Sequence, residues 1–282
     1  MKLYSIHAGN FKLDGGAMFG VVPKVIWEKL NPPDDKNLCE WSMRCLLIDT
    51  GDRKILIDNG IGDKQDEKFF KNYQPHGPDY SLEKNLKAHG FTPEDITDNL
   101  LTHLHFDHCG GGIKWNQEKE EHEPTFPNAT YHVSRPQWES AQNPNPREKA
   151  SMLKENIFPM QEKGKLNIIE EEGEFLPGID LSFVYGHTDG MILPKIQYGN
   201  HTVVYMADLL PSHMHMPIPF VMAFDIRPLD TMPEKEKWLQ KALEENWVLF
   251  FEHDPFIECC TVQEGKKYIE AGEKFELTDL SS

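Results

Sequence analysis

The stretch LLTHLHFDHCGGG, residues 100–112, places three histidines and one aspartate within six residues, between an apolar run and a run of glycines. His103 and His105 are two positions apart, so their side chains point to the same face of an extended backbone. Asp107 and His108 follow, where the glycines at 110–112 allow a tight turn and a close approach of the backbone. Imidazole and carboxylate groups bind divalent metal ions. The stretch therefore predicts part of a metal site rather than a polar surface loop.

Further ligands are expected downstream, because six residues cannot complete two metal sites. Three apolar runs end at a side chain that could bind a metal: FVYGH ends at His187, VVYMAD at Asp208 and VLFFEH at His253. Each residue taken alone is explained as well by a cap or a turn. Together, and in order after the first stretch, they indicate strands that present ligands at one edge of a sheet.

The rest of the chain alternates short apolar runs with amphipathic segments. RCLLID and KILIDNG, within residues 44–60, predict a hairpin. Helices are predicted over residues 81–90, 135–142 and 233–246, the last with Pro233 in its first turn. Hairpins mixed with strand–helix alternation predict an α/β layered fold. A length of 282 residues is compatible with one domain of this class, and we expect a single domain over residues 1–282.

Charge and composition exclude several classes of partner. The net charge of −17 disfavours nucleic acid and anionic membranes, whose contacts depend on basic patches. No window approaches the roughly 18 apolar residues of a membrane span, and the first twenty residues lack the apolar core of a signal peptide. The five cysteines follow no regular spacing, which is typical of reduced thiols. We therefore expect a cytoplasmic protein that acts on a small molecule.

The ordered set of histidines and aspartates resembles the metallo-β-lactamase-fold hydrolase superfamily. The similarity runs from KILIDNG to the EHDP that ends the last apolar run, and so spans most of the chain. It implies an α/β fold of the four-layer αβ/βα sandwich type. The stretches DGGAMFGVVPKVIW and PNATYHVSRPQWESAQNPNPR are similar to the lactonase-like and organophosphate-hydrolase-like branch. His105 stands where diiron flavoproteins of this fold have a glutamate, which argues against that branch.

The resemblance also implies a role for each ligand. The first metal would be held by His103, His105 and His187, the second by Asp107, His108 and His253, and both by Asp208. Asp58 resembles an aspartate that orients the site from behind. Two divalent ions are expected, zinc first, with manganese or iron as alternatives, since no cysteine is placed to enforce zinc.

These assignments predict a dinuclear metal-dependent hydrolase. A hydroxide between the two metals would attack a small ester, lactone or phosphotriester, and Asp107 would carry the proton. Two alternatives remain open from the sequence. One is an iron-dependent oxidoreductase of the same fold, similar to persulfide dioxygenases, and the other is a metal-binding protein without catalysis.

One departure from the family pattern concerns the position three residues after Asp208. Acyl-homoserine lactonases have a substrate-contacting tyrosine there, and this chain has Pro211. We expect His215 to supply the missing donor as a catalytic residue, and His213 to contribute less. The apolar stretches at residues 16–27 and 213–224 are expected to shape the substrate pocket. Core packing or a homodimer contact is the alternative for both stretches.

Overall fold

The computed structural model describes residues 1–77 and 81–280. They fall into two compact units, which interleave along the chain. Unit 1 contains Met1–Asn10 and Met43–Glu171, and unit 2 contains Phe11–Ser42 and Glu172–Ser282. Each unit holds a sheet and helices, which confirms the predicted α/β class. The single domain expected over residues 1–282 stays a prediction.

The larger sheet of unit 1 mixes antiparallel and parallel pairs. The predicted hairpin is present, with Leu46 opposite Ile57. Two strands of this sheet, Lys2–Asp14 and Leu38–Asp49, also contribute residues to unit 2. In order across the sheet, the strands are Lys2–Asp14, Leu38–Asp49, Lys54–Ile57, Asp98–Leu100, Thr130–Ser134 and Leu166–Ile169. A separate antiparallel pair is formed by Ile113–Trp115 and His122–Pro124.

Unit 2 contains a second mixed sheet, in which His201–Tyr205 and Val248–Phe250 run parallel. The described strands, in order across this sheet, are Ile269–Phe275, Cys259–Glu264, Val248–Phe250, His201–Tyr205, Met191–Tyr198, Ile179–Val184 and Gly173–Leu176. The carboxyl ends of the parallel pair lie side by side, because the amide of Met206 donates to the carbonyl of Phe250. Asp208 and His253 follow these two ends directly.

Helices accompany both sheets. Those of unit 1 are Glu67–Tyr73, Leu82–Ala88, Phe106–Cys109, Arg135–Gln142 and Lys154–Glu162, and those of unit 2 are Gly15–Phe19, Lys24–Trp27 and Pro228–Glu245. No helix within the described residues is long and apolar enough to cross a membrane. Ser81 caps the second of these helices as predicted, since its hydroxyl accepts from the amide of Lys84.

The start predicted for the long helix was wrong. The helix begins at Pro228, five residues earlier than predicted, and Pro233 lies inside it. Pro228 occupies the first helical turn, where a missing amide hydrogen costs nothing, and Asp230 provides negative charge near the helix N-terminus. The sequence thus contains two proline start signals, and the earlier one begins the helix.

A buried ionic network supports the sheet of unit 1. The carboxylate of Asp98 accepts hydrogen bonds from the Thr97 hydroxyl, from Arg53 and from Nε2 of His132, the last at 2.7 Å. Burial raises the pKa of Asp98, but these hydrogen bonds outweigh burial and hold the pKa well below its usual range. The ionised form therefore stabilises the folded state above about pH 4, the unfolded pKa, and this stabilisation is lost as the pH falls further.

We expect Asp98→Asn to lower the free energy of unfolding at pH 7 by about 2–3 kcal/mol, below the full value for a buried pair because Arg53 is partly exposed. Glu121→Gln is the matched control, since it removes one charge from an exposed pair with Lys163 and should cost about 1 kcal/mol at most. Urea unfolding of the three proteins measures both. Equal effects of the two substitutions would contradict the role given to Asp98.

Candidate metal centre

In unit 1, the first two histidines of the motif converge on one point. Nε2 of His103 lies 3.1 Å from Nδ1 of His105, and both residues are buried. Two nitrogens at about 2.0–2.1 Å from one tetrahedral ion are separated by about 3.3 Å. The pair therefore has the spacing of two ligands on one ion. The Thr102 hydroxyl lies 3.1 Å from Nδ1 of His103 and fixes the other side of that ring.

Asp58 orients the second half of the motif. It follows the strand Lys54–Ile57, and its amide donates to the carbonyl of Leu100 at the end of the neighbouring parallel strand. One carboxylate oxygen accepts from the Thr102 amide at 2.7 Å, and the other lies 3.1 Å from Nδ1 of His108. Nε2 of His108 is left for a metal and lies 4.0 Å from the carboxylate of Asp107.

The glycines after the motif permit a close approach of two backbone segments that any side chain would prevent. A Cβ atom on Gly110 would lie 2.3 Å from the carbonyl oxygen of Ile61, and one on Gly111 would lie 2.2 Å from that of Asn59. The buried ammonium of Lys64 donates to the Gly110 carbonyl and fastens the turn. Burial raises the pKa of the Cys109 thiol to about 12, which fits a packing role.

Unit 2 contains a carboxylate between two imidazoles. The two oxygens of Asp208 face different rings: Oδ2 lies 3.1 Å from Nε2 of His187, and Oδ1 lies 3.3 Å from Nε2 of His253. The carbonyl of Ser42 lies 2.7 Å from Nδ1 of His253 and accepts a hydrogen bond from it. This is the arrangement expected of a ligand shared by two ions, because each oxygen has its own histidine.

Two supporting carboxylates were not found from the sequence. Asp225 lies 2.8 Å from Nδ1 of His187, and its other oxygen accepts from the Thr231 hydroxyl at 2.6 Å. In unit 1, buried Glu148 lies 3.4 Å from Nε2 of His105. Burial lowers the pKa of His187, but Asp208 and Asp225 outweigh it and raise the pKa to about 10. The pocket around this imidazole therefore favours positive charge.

The donor set fits divalent metal ions. Each motif histidine presents one ring nitrogen toward another candidate ligand, while its second nitrogen lies against a supporting group. Such partners fix the tautomer and the ring orientation of metal-binding histidines. All seven predicted ligands are buried, namely His103, His105, Asp107, His108, His187, Asp208 and His253.

The catalytic role of His215 stays a prediction, and both nitrogens of its ring have partners in the protein. Its Nε2 donates to the Met18 carbonyl at 3.0 Å, its Nδ1 lies 2.8 Å from the Ser212 hydroxyl, and its ring stacks on Phe19. Burial lowers the pKa of His215 to about 3, so the ring is neutral. A role as electrophile would require the bond to Met18 to be given up. His213 is partly exposed and pairs with Asp254.

We expect Asp58→Asn to weaken metal binding about 10- to 100-fold, because the amide cannot accept from all of its present donors. Asparagine tolerates the left-handed backbone at this position, where φ is 56°. Chelator competition on the purified protein measures the affinity. Asp63→Asn, at an exposed position of the same loop, is the control and should bind metal as the wild type does. Unchanged affinity in Asp58→Asn would remove Asp58 from the centre.

Comparison with known proteins identifies the same superfamily as the sequence motif. The sequence model of the metallo-beta-lactamase superfamily matches residues 44–253. An N-acyl homoserine lactonase from Bacillus cereus is 27% identical over 267 residues, which cover 90% of this chain and 93% of that protein.

Two solved structures are similar over nearly the whole chain. A probable metal-dependent hydrolase from Staphylococcus aureus has a TM-score of 0.86 at 29% identity, covering 97% of this chain and 98% of that one. AidC, a dizinc quorum-quenching lactonase, has a TM-score of 0.80 at 21% identity, covering 97% and 94%, and supports the fold alone. These likenesses confirm the predicted sandwich fold. Since the family match covers well over half of the chain, the protein belongs to the metallo-beta-lactamase superfamily and is a metal-dependent hydrolase, and its similarity to N-acyl homoserine lactonases is consistent with the lactonase-like branch.

Proposed function

We propose that this protein hydrolyses a small, uncharged lactone, ester or phosphotriester with two divalent metal ions. The proposal assigns the first ion to His103, His105 and His187, the second to Asp107, His108 and His253, and the bridge to Asp208. Membership of the superfamily and the order of the ligands along the chain support this assignment. The single observation that carries it is Asp208, whose two oxygens face two different imidazoles.

When bound, the ions would activate a water molecule and polarise the oxygen that gains charge in the reaction. The residues of this chain then have separate tasks. Asp58 and Asp225 keep His108 and His187 in the tautomer that leaves Nε2 free. The carboxylate of Asp107, 8% exposed, can accept the proton of the attacking water and return it to the leaving oxygen. Zinc is the proposed metal, because the donors are nitrogen and oxygen and a dizinc enzyme shares the fold.

The substrate class rests on relatives and on charge. The curated relatives that cover 90% of the chain are named N-acyl homoserine lactonases. The net charge of −17 disfavours polyanionic substrates. Pro211 has neither a hydroxyl nor an amide hydrogen to offer the substrate. We therefore place lactones and aryl esters first and phosphotriesters second, and leave the choice among acyl groups to experiment.

A hydrolysis screen tests the proposed function. Protein loaded with zinc, manganese or iron would be assayed on an acyl-homoserine lactone, a simple γ-lactone, an aryl ester and a phosphotriester. Metal analysis would accompany each assay. Hydrolysis of a lactone or ester by protein with two ions per chain is expected. Fully loaded protein that hydrolyses none of the four would contradict the proposal.

The location and the assembly are also proposals. All five cysteines are buried thiols outside any disulfide, which fits the reducing cytoplasm. In the stretch of residues 16–27, Val21 is 92% exposed and Val25 is 65% exposed, which fits the homodimer contact considered from the sequence. Sedimentation of wild type and of Val21→Ser decides whether this stretch holds two chains together.

We expect Asp208→Ala to lose both ions, whereas His253→Ala should mainly lose the second. The physical reason is that only the carboxylate offers an oxygen to each ion, while a neutral imidazole offers one nitrogen. Metal content after dialysis measures both variants. Asp180→Ala, at a position whose side chain is 50% exposed, is the control and should keep two ions. Two tightly bound ions in Asp208→Ala would refute the bridging role.

His215→Phe tests the catalytic role predicted for His215. Phenylalanine keeps a ring on Phe19 and removes both nitrogens. A donor to the substrate would be worth about 10²–10³ in kcat. Because Met18 and Ser212 already occupy both nitrogens, we expect kcat within about fivefold of wild type and a lowered stability instead. A loss of kcat near a thousandfold with both ions retained would restore His215 to the mechanism.

A further inference from the structure

The long helix Pro228–Glu245 contains a lysine with no access to solvent. Lys235 is 0% exposed, and its ammonium donates to the carbonyls of Phe220 at 2.7 Å, Pro217 at 3.1 Å and Ile218 at 3.3 Å. Three carbonyls match the three hydrogens of an ammonium group. Burial lowers the pKa of Lys235 to about 7, while the Asp225 carboxylate acts in the opposite direction. An apolar side chain would avoid the desolvation cost of a buried ammonium group. We therefore expect the hydrogen bonds of Lys235 to have a structural role.

The three acceptors belong to a segment with backbone hydrogen bonds at two of its four carbonyls: the Phe220 amide donates to the Pro217 carbonyl and the Val221 amide to the Pro219 carbonyl. Residues 217–220, PIPF, lie outside the described helices and strands, and the two prolines contribute no amide hydrogens. Buried carbonyls without donors are costly. Lys235 therefore supplies a donor to the carbonyls of Ile218 and Phe220, and it shares the Pro217 carbonyl with the Phe220 amide.

This segment connects two parts of the metal centre in unit 2. It follows Asp208 and His215 along the chain, and it leads to Asp225, which holds His187. Thr231, one helical turn before Lys235, donates to Asp225. Residues four apart lie on the same face of a helix. One face of the long helix thus binds both this segment, through Lys235, and Asp225 beyond it, through Thr231.

The segment also presents apolar surface. Phe220 is partly exposed, and its ring meets Phe19 edge-on at 6.4 Å, whereas Ile218 lines a cavity together with Leu239 and Tyr268. The amide of Ala223 donates to the carbonyl of Ala17 at 2.8 Å, which joins the segment to the first apolar stretch. Ligand sites are mostly apolar with few polar groups, and both stretches were expected to shape the pocket.

We propose that Lys235 is a positioning residue, which holds residues 217–220 in one conformation, so that Phe220 forms part of an apolar wall of the substrate site and sets the affinity for the apolar part of the substrate. The kinetic half of this proposal rests on the proposed function. The conformational half does not, since it concerns only the segment and the helix.

Lys235→Met tests both halves, because methionine fills a similar volume without donors. Hydrogen exchange of peptic peptides covering residues 214–224 should become faster by about tenfold or more. Metal content should stay at the wild-type value. For aryl esters of increasing acyl length, KM should rise by about tenfold for the longest chain and little for acetate, with kcat nearly constant. Lys237→Met, at an exposed position of the same helix, is the matched control and should change none of these values.

Unchanged exchange in folded Lys235→Met would overturn the proposal, as would a loss confined to kcat. Faster exchange in a protein whose wild type hydrolyses no tested substrate would uphold the positioning role and reject the proposed function instead. If Lys235→Met does not fold, wild type decides: slow exchange at the amides of residues 220–223 is required, and exchange at the rate of an open loop would overturn the proposal.

Discussion

An imidazole is a dependable metal ligand only when its second nitrogen is held, and the fold is organised around this requirement. His108 and His187 are held by carboxylates, His253 by the carbonyl of Ser42, and His103 by the Thr102 hydroxyl. None of these partners is adjacent to its histidine except Thr102. In unit 1 the parallel strands Lys54–Ile57 and Asp98–Leu100 lead to the partners Asp58 and Thr102, and in unit 2 the parallel pair leads to Asp208 and His253.

Carboxylates that hydrogen-bond to imidazoles concentrate negative charge in the buried interior. In unit 2, Asp208 and Asp225 approach the ring of His187 from two sides and raise its pKa to about 10. A buried group of this composition is stable only with a compensating positive charge, which is either a proton or a metal ion. Metal loading and folding stability are therefore expected to be coupled in this protein, because the ion relieves repulsion that the folded chain creates.

The candidate ligands could be named from the sequence, and their binding of metal stays a prediction, whereas most of the groups that support them could not be named. Each ligand follows an apolar run, so its position is encoded locally by residues such as those before His187 and His253. Asp225, Glu148 and Lys235 carry no such signal, because their partners are distant in sequence and become neighbours only in the folded chain. The end of the long helix, near Asn246, was also predicted from local sequence. Its start was not, because Pro228 and Pro233 both suit a first helical turn.

The start of that helix shows how a local choice reaches the metal centre. Because the helix begins at Pro228, Thr231 lies in its first turn and points at Asp225. This approach is possible only beside a glycine: a Cβ atom on Gly186 would lie 2.3 Å from the Thr231 hydroxyl and 2.5 Å from its backbone nitrogen. Gly186 immediately precedes His187. Gly186 thus leaves room for the helix, and Thr231 of that helix holds the carboxylate of Asp225. Asp225 in turn orients the imidazole of His187, so the lack of a side chain at residue 186 helps to determine the ring orientation at residue 187.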